Sequence, residues 1–309
     1  MPPTYTRALA YRFPLIRGED VLALQLRLRE LGFRVAQPDG VVGPLTEVAI
    51  RQFQQSRGLS VDGVVGPLTW NTLFQAEAAE ALTVKGERIR AVLAELTSPH
   101  SYRDGVAWLL TATGISVGGD GQSRPPETTG GEPTTVRRAW ENFEKPIELW
   151  STKLGVPVEL IIATICTESG GNAAAVRTEP GYLSDETTPN KVSPGLMQTL
   201  ISTARDTLGN PSIDRAWLLS PENAIRAGTA YIASQSKITH LDPPKVACAY
   251  NAGGVYYNAG PDNRWKMRQY PINTSHHADR FVQWFNDCFV MFKKDGLTPA
   301  VSFYHWLQN

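Results

Sequence analysis

An eight-residue segment, Asp39–Thr46, recurs unchanged as Asp62–Thr69, 23 residues further along the chain. Both copies read Asp-Gly-Val-Val-Gly-Pro-Leu-Thr. Asp-Gly is typical of a turn, and Gly-Pro is typical of a helix start, where proline's missing N–H is not needed. The chain must therefore make the same turn twice, with room for one helix between the two turns.

Apolar residues at helical spacing flank and separate these turns. The stretches Val21–Leu31 and Glu47–Arg57 each carry an apolar face and are closed by a glycine, Gly32 and Gly58 respectively. A shorter apolar stretch around Trp70 follows the second turn. The sequence thus predicts a small domain of three short helices over residues 1–76.

The pattern resembles the peptidoglycan-binding domain 1 family over about residues 17–75. The matching positions are Leu26, Leu31-Gly32, Asp39-Gly40, Gly43-Pro44-Leu45-Thr46, Phe53-Gln54, Gly58-Leu59 and Asp62 through Trp70. The resemblance implies noncovalent attachment to bacterial cell wall. Most of these residues suit turns or a core, so the side chains that would contact the wall stay open.

Residues 77–135 contain no catalytic pattern. Ala76–Leu96 is rich in Ala, Glu and Leu, which favours a helix, and Val106–Thr113 is predicted to form another. Ile115–Pro133 is dense in Gly, Ser, Thr and Pro, which is typical of a loop or flexible linker. We therefore predict a helical spacer and a Gly/Pro-rich linker before a third region, residues 136–309.

The third region contains a short apolar helix that ends in a carboxylate. In Pro157–Gly171, Ile161, Ile165 and Glu168 share one helical face, and Gly170-Gly171 is a natural stop. Burial raises the pKa of a carboxyl group, and a raised pKa suits a general acid. The alternative from this stretch alone is that Glu168 is simply the solvated last turn of the helix.

Further helices are predicted around this one. Arg137–Leu154 and His276–Phe292 have apolar stripes at helical spacing, and helical stretches are expected around Ser202–Leu208 and Pro221–Ser236. The polar segment Asn172–Pro194 is predicted to be a long loop. The fold class is therefore mainly α.

Three motifs follow one another in this region: Glu168-Ser169, Gly195-Leu196-Met197-Gln198 and Ala249-Tyr250-Asn251-Ala252-Gly253. Their order resembles the soluble lytic transglycosylase family, which has the goose-type lysozyme fold, over about residues 145–256. Pro221–Gly228 with Tyr231 also looks like the family's helix before the last motif. The segment between Glu168 and Gly195 is longer than the family pattern. The resemblance implies a lysozyme-like catalytic domain over residues 136–309.

The resemblance also implies residue roles. Glu168 would protonate the leaving oxygen of a MurNAc–GlcNAc bond and then act as base while a 1,6-anhydro ring closes, with the sugar's N-acetyl group as nucleophile. Tyr250 and Asn251 would hold that N-acetyl group, and Gln198 and Met197 would line the cleft. Ser169 would orient Glu168 or the substrate, and Tyr231 is a further substrate-binding candidate. A single carboxylate suits this substrate-assisted reaction, because Glu159, the other carboxylate of the helix, lies about 13 Å from Glu168 along the helix.

Other enzyme classes remain as alternatives. A muramidase would hydrolyse the same bond with water, with Glu179, Asp185 or Glu186 as base. A zinc amidase would need a ligand set, but the five histidines form no HExxH motif. A cysteine peptidase would need a thiolate, and Cys166 sits near a helix C-terminus, where its pKa rises. A non-catalytic wall-binding protein is the fourth alternative. No cofactor or metal is expected.

Composition narrows the partners and the compartment. Lys+Arg and Asp+Glu are 30 each, so nothing suggests nucleic acid or an acidic membrane, and we expect a monomer that binds bacterial peptidoglycan. Cys166, Cys248 and Cys288 are far apart, which favours buried, reduced thiols. The first 13 residues hold no apolar run fit for a signal peptide. We therefore expect a modular phage endolysin made in the host cytoplasm that reaches the periplasmic wall through a separate membrane lesion.

Overall fold

Helices dominate the computed structural model, which describes residues 4–74, 91–118 and 124–308. The chain divides into two units, Met1–Arg90 and Ala91–Asn309. Two short two-stranded sheets are the only sheets in the described ranges. The predicted mainly α fold class is confirmed.

In the described part of the chain, no helix is both long enough and apolar enough to cross a membrane.

The first unit contains the three predicted helices. They are α1 (Glu19–Glu30), α2 (Pro44–Ser56) and the helical residues 67–74 (α3). Isolated bridges join Leu9 to Val65 and Arg17 to Val41, one bridge at each repeated turn. The helices and bridges enclose one apolar core, formed by Leu9, Ile16, Val21, Leu24, Leu28, Val42, Ala49, Ile50, Phe53, Val65, Trp70, Leu73 and Phe74.

A buried glutamine explains the first copy of the repeat. The side-chain oxygen of Gln25 accepts hydrogen bonds from the backbone N–H groups of Asp39 (3.1 Å) and Gly40 (2.8 Å). Its amide nitrogen donates to the Asp39 carboxylate (3.0 Å), the Val41 carbonyl (3.0 Å) and the Thr46 hydroxyl (3.1 Å). Gln25 therefore holds the turn and the start of the next helix together.

The second copy has the same arrangement one helix later. The oxygen of Gln54 accepts from the Gly63 N–H (2.9 Å), and its nitrogen donates to Asp62 (2.7 Å), the Val64 carbonyl (3.0 Å) and Thr69 (3.4 Å). The Val64 N–H and the Gln54 amide, which both donate to the Asp62 carboxylate, hold the pKa of Asp62 below its usual value. The repeated residues Asp, Gly, Val and Thr are therefore the partners of one glutamine, which lies on the preceding helix in each copy.

We expect Gln54→Ala to destabilise the first unit by about 2–4 kcal/mol, because it leaves several buried polar groups without partners. The neighbouring exposed Gln55→Ala is the matched control. Native-state hydrogen exchange of the full chain measures the change, through the amides of residues 19–74. Equal protection in the two variants would show that the glutamine contributes no stability.

The second unit is built around a helix that is buried on every side. This helix, α5 (Val158–Ser169), has nine consecutive buried residues from Val158 to Cys166 and packs mainly against α4 (Thr134–Leu154) and α11 (His276–Asp295). The prediction of a single apolar face is therefore corrected. A helix that is apolar all round is a core helix.

Shorter helices surround this core, two of them where the sequence predicts helices, around Ser202–Leu208 and Pro221–Ser236. They are α6 (Ile201–Leu208), α7 (Arg215–Leu219), α8 (Pro221–Ser234), α9 (Ser236–Thr239), α10 (Pro243–Ala252) and α12 (Phe303–Gln308). Cys166, Cys248 and Cys288 are buried and unpaired, as expected.

The described part of the predicted spacer belongs to the second unit. Residues 91–96 are helical, while residues 77–90 and 119–123 lie outside the described residues. The predicted helix Val106–Thr113 and the start of the predicted linker instead form an antiparallel hairpin, β1 (Ala107–Thr111) with β2 (Gly114–Gly118). The physical reason is burial: Trp108 is fully buried and donates to Asp242 (2.9 Å).

The segment Asn172–Pro194 is more ordered than the predicted loop. It contains the antiparallel strands β3 (Val176–Thr178) and β4 (Val192–Pro194) and a 3-10 turn at Pro189–Lys191. The polypeptide between the two strands is anchored by Asp185, which accepts hydrogen bonds from Arg215 (2.7 and 2.9 Å). This hairpin follows α5 in the sequence and supplies residues to a cleft at the end of that helix.

Candidate active site

A cleft of about 790 Å³ opens at the C-terminal end of α5. This volume is in the range of ligand-binding sites. Its walls come from α5, the β3–β4 hairpin, the loop after β4, α6, α8, α10, the segment that leads into α11 and the start of α11. The polar and aromatic lining residues are Thr167, Glu168, Arg177, Glu179, Ser193, Gln198, Thr199, Thr203, Tyr231, Tyr250, Asn251, Tyr270, His276, His277 and Arg280.

Glu168 lies at the inner wall of this cleft. Helix α5 ends directly after it, at Gly170, whose left-handed φ of 62° closes the helix. The side chain of Glu168 is only 6% exposed. Burial raises its pKa to about 7, against the opposing effect of the positive charges of Arg177 and Arg280. Such a carboxyl group can both give and take a proton near neutral pH.

Two predicted substrate-binding residues, Ser169 and Met197, do not line the cleft. The Ser169 hydroxyl donates to the Leu196 carbonyl (2.6 Å) and so joins the end of α5 to the loop after β4. Met197 is fully buried and packs against Gly228, where any side chain would collide with its sulfur. Both residues shape the wall from behind. Ser169 fastens the helix end that carries Glu168, which agrees with one of its two predicted roles, whereas Met197 does not line the cleft as predicted.

Gln198 does line the cleft, but its polar atoms are used by the protein. Its amide nitrogen donates to the carbonyls of Gly195 (2.8 Å) and Ala175 (3.1 Å). The loop that carries it requires Gly195, which has a φ of 84° and would, with a side chain, collide with the Leu218 carbonyl. Gln198 therefore joins β3 to the loop and presents little more than its edge to the cleft.

Tyr231, Tyr250 and Asn251, the other predicted substrate-binding residues, all line the cleft. The rings of Tyr231 and Tyr250 pack edge to face with centroids 5.3 Å apart. The Tyr250 hydroxyl donates to the Met197 carbonyl (2.9 Å) and pairs with Thr199 (2.8 Å), and its burial raises its pKa. Tyr250 is thus a neutral hydrogen-bonding group held in one orientation.

His277 is a site residue that sequence analysis missed. Its Nε2 lies 3.6 Å from Glu168 Oε1, and its Nδ1 lies 3.4 Å from the side-chain nitrogen of Asn251. The Asn251 orientation is set by its oxygen, which accepts the Tyr270 N–H at 2.6 Å. Burial, together with two nearby arginines, lowers the His277 pKa to about 4, so the ring is neutral at pH 7. Because neutral His277 carries no positive charge, it does not lower the raised pKa of Glu168.

Arg177 and Arg280 also line this cleft, and sequence analysis missed both of them. Arg177 Nη2 lies 3.7 Å from Glu168 Oε2, and its Nε lies 3.6 Å from the Glu179 carboxylate. Arg280 is one helical turn after His277 on α11. No motif marks these residues, because β3 and α11 reach the cleft only through the tertiary fold.

The other carboxylates considered in the sequence analysis lie in different surroundings from Glu168. Of the three candidate bases of a muramidase, only Glu179 lines the cleft. Asp185 is held by Arg215 and Tyr182, which lower its pKa, and Glu186 is exposed elsewhere on the segment. Glu159 is fully buried at the far end of α5, where it accepts hydrogen bonds from Ser302 (2.6 Å) and the Tyr304 N–H (2.8 Å). Glu159 therefore links α5 to the C-terminal segment and does not line the cleft.

The groups that the competing enzyme classes need are not assembled here. Among the described residues, no three His, Cys, Asp or Glu side chains are grouped as a metal site requires. Burial raises the pKa of Cys166 to about 12, which opposes formation of a thiolate nucleophile.

Comparison with known proteins agrees with this geometry. Residues 145–277 match the transglycosylase SLT domain, and residues 17–73 match the putative peptidoglycan binding domain. The chain therefore contains a transglycosylase SLT domain. It is a peptidoglycan-degrading lytic transglycosylase with a peptidoglycan-binding domain ahead of the catalytic domain.

The SLT transglycosylase is also similar to solved structures. One is the crystal structure of a Burkholderia AP3 phage endolysin, at 16% identity and a TM-score of 0.30, over 92% of this chain and 100% of that chain. Another is an inactive mutant of the lytic transglycosylase Slt from Pseudomonas aeruginosa, at 16% identity and a TM-score of 0.35, over 94% of this chain and 44% of that chain. No curated protein matches the chain.

The raised pKa of Glu168 predicts a pH-dependent cost to stability. Below pH 4.5 both folded and unfolded states hold the proton; between pH 4.5 and 7 the unfolded state ionises first, so stability falls. Above pH 7 the loss is complete, at about 3 kcal/mol. We expect Glu168→Gln to match wild type at pH 4 and to exceed its free energy of unfolding by about that amount at pH 8.

Chemical denaturation across this pH range measures the difference. Glu179→Gln, an exposed position in the same cleft, is the control and should not follow the same curve. A Glu168→Gln difference that stays constant from pH 4 to pH 8 would contradict the raised pKa.

Proposed function

We propose that the SLT transglycosylase cleaves the β-1,4 bond between MurNAc and GlcNAc and leaves a 1,6-anhydro end on the MurNAc. The observation that carries the proposal is the setting of Glu168. It is a nearly buried carboxyl group with a pKa of about 7 at the wall of a cleft, where one group can serve as acid and then as base.

The reaction has two proton transfers. Glu168 gives its proton to the glycosidic oxygen as the bond to the MurNAc C1 breaks and GlcNAc leaves. The 2-acetamido oxygen of MurNAc stabilises the positive C1. The Glu168 carboxylate then takes the proton of the MurNAc 6-hydroxyl, whose oxygen bonds to C1 and displaces the acetamido oxygen. Glu168 ends protonated, ready for the next bond.

The other wall residues support this reaction by position. Tyr250 and Asn251 line the same cleft as Glu168 and suit the N-acetyl group, with the Tyr231 ring packed against Tyr250. Neutral His277 places a ring nitrogen against one carboxyl oxygen of Glu168 (3.6 Å) without adding a charge.

A muramidase is the second candidate, and Glu179 is the observation in its favour. Glu179 lines the same cleft and shares Arg177 with Glu168. As a carboxylate it could activate water on the opposite side of the sugar. Glu179 is exposed and ion-paired with Arg177, whereas Glu168 is nearly buried, so the proposal places both proton transfers on Glu168.

We expect Glu168→Gln to lower turnover of peptidoglycan by about 10²–10⁴, because it removes the transferable proton and keeps the shape. Glu179→Gln should keep most of the activity. Mass spectrometry of digested wall should find anhydro MurNAc ends in the wild-type products, one water lighter than reducing ends.

Two results would contradict this assignment. If Glu168→Gln kept more than about a tenth of wild-type turnover, Glu168 would not be the acid. Reducing ends together with an inactive Glu179→Gln variant would identify a muramidase.

We propose further that the enzyme is a modular phage endolysin, made in the host cytoplasm and acting on the periplasmic wall after a separate membrane lesion. The order of domains supports this role, since a wall-binding domain ahead of a wall-cleaving one suits an enzyme that must be retained on its polymer.

Bacteria that produce the enzyme in the cytoplasm should therefore stay intact until their inner membrane is permeabilised with chloroform, and then lose turbidity quickly. Cells producing Glu168→Gln are the control and should lose turbidity slowly. Lysis by wild type before chloroform treatment would contradict the need for a separate lesion.

A further inference from the structure

Arg280 is an uncommitted positive charge in the catalytic cleft. It is exposed, lines the cleft and makes no hydrogen bond or ion pair within the described residues. Other arginines of this unit are engaged: Arg137 pairs with Asp295 (2.9 Å), Arg215 with Asp185 (2.7 Å) and Arg264 with Asp279 (2.7 Å). An arginine left without a partner in a cleft is a candidate ligand contact.

The charges of the cleft do not balance around Arg280. Arg177 is shared by two carboxylates, Glu168 (3.7 Å) and Glu179 (3.6 Å). With a pKa of about 7, Glu168 is close to half protonated at neutral pH, and His277 is neutral. The two arginines therefore exceed the negative charge of the two glutamates, and the cleft attracts anions.

We propose that Arg280, assisted by Arg177, forms an anion-binding subsite that takes a carboxylate of the peptidoglycan substrate. The proposal rests on the proposed function in that it assigns a contact within the same cleft. The sugar rings of the glycan are uncharged, so its carboxylates come from the peptide stems or, where a stem is absent, from the lactyl group of MurNAc. A guanidinium group matches a carboxylate with two parallel hydrogen bonds.

The proposed subsite also links substrate binding to the protonation of Glu168. The charged and titratable groups that face Glu168 are Arg177 and Arg280, His277 and Tyr250. The positive charge of Arg280 favours ionised Glu168. A bound substrate carboxylate offsets that charge, so Glu168 keeps its proton to a higher pH when a charged substrate is seated. The anion thus helps to hold the acid in its reactive form.

The test compares Arg280→Gln with Arg226→Gln. Arg226 is also an exposed arginine of this unit, but it stacks on Trp150 (5.1 Å) and does not line the cleft. Both changes are made in the Glu168→Gln full chain, which binds without rapid cleavage. Thermal unfolding of the two variants checks that both fold.

Binding is measured with three soluble GlcNAc–MurNAc tetrasaccharides. The first carries peptide stems, the second has had its stems removed by an amidase and so has free lactyl carboxylates, and the third has those lactyl groups converted to neutral methylamides. We expect Arg280→Gln to weaken binding of a carboxylate-bearing probe about tenfold and to leave the neutral probe unchanged. Arg280→Lys should be intermediate, because lysine keeps the charge without the fork.

The two carboxylate sources give different outcomes. A loss confined to the stem-bearing probe assigns the subsite to the peptide, and a loss confined to the stem-free probe assigns it to the lactyl group. Equal binding by Arg280→Gln and Arg226→Gln to all three probes would overturn the proposal, as would an equal loss on the neutral probe.

Kinetics separates this proposal from the proposed function. With Glu168 intact, Arg280→Gln should lower kcat/KM on the charged substrate. In wild type, the alkaline limit of kcat should lie at higher pH for the charged substrate than for the neutral one. Arg280→Gln should raise the limit for the neutral substrate, because it removes the positive charge that favours ionised Glu168. If wild type cleaved no glycan while the binding pattern held, the subsite would stand and the proposed function would fail.

Discussion

The desolvation of one carboxyl group, that of Glu168, is the constraint on which the catalytic unit depends. Water must be kept away from it for its pKa to reach about 7, yet one side must stay open to a sugar chain. Placing the group at the end of a fully buried helix satisfies both needs. The apolar body of α5 excludes water, and the left-handed Gly170 ends the helix before the side chain is covered.

Several of the remaining motif residues help to hold Glu168 in place. Ser169 joins the end of α5 to the Leu196 carbonyl, and the Tyr250 hydroxyl donates to the Met197 carbonyl. Three chain segments far apart in sequence are thus joined by short hydrogen bonds around Glu168. A shift in any one of them would open the carboxyl group to water or move it from the bond to be cleaved.

The first unit solves a different problem, since a domain of this size has little core to stabilise it. Two buried glutamines, Gln25 and Gln54, each satisfy several backbone groups of a tight turn. The same sequence can therefore be used twice. A wall-binding domain on the same chain as a cleaving domain would raise the local concentration of bonds available for cleavage.

Much of this protein was decided by local sequence. The exact repeat required two matching turns, the apolar run in Pro157–Gly171 required a helix, and Gly170-Gly171 required its end. Glu168 could be identified because a carboxylate on an apolar stripe needs a special environment. The motif order then indicated Tyr231, Tyr250 and Asn251, which do meet at the cleft wall.

Only the tertiary structure decided the rest. The sequence predicts a helix and a linker where the β1–β2 hairpin lies, because a short apolar run matches both helical and strand periodicity. The burial of Trp108, which donates to Asp242, favours the hairpin. Met197 was placed in the cleft because sequence cannot tell which side of a loop faces the core. Arg177, His277 and Arg280 carry no local signal. Their effect on Glu168 depends on distances across the fold, and electrostatic interactions act through space rather than along the chain.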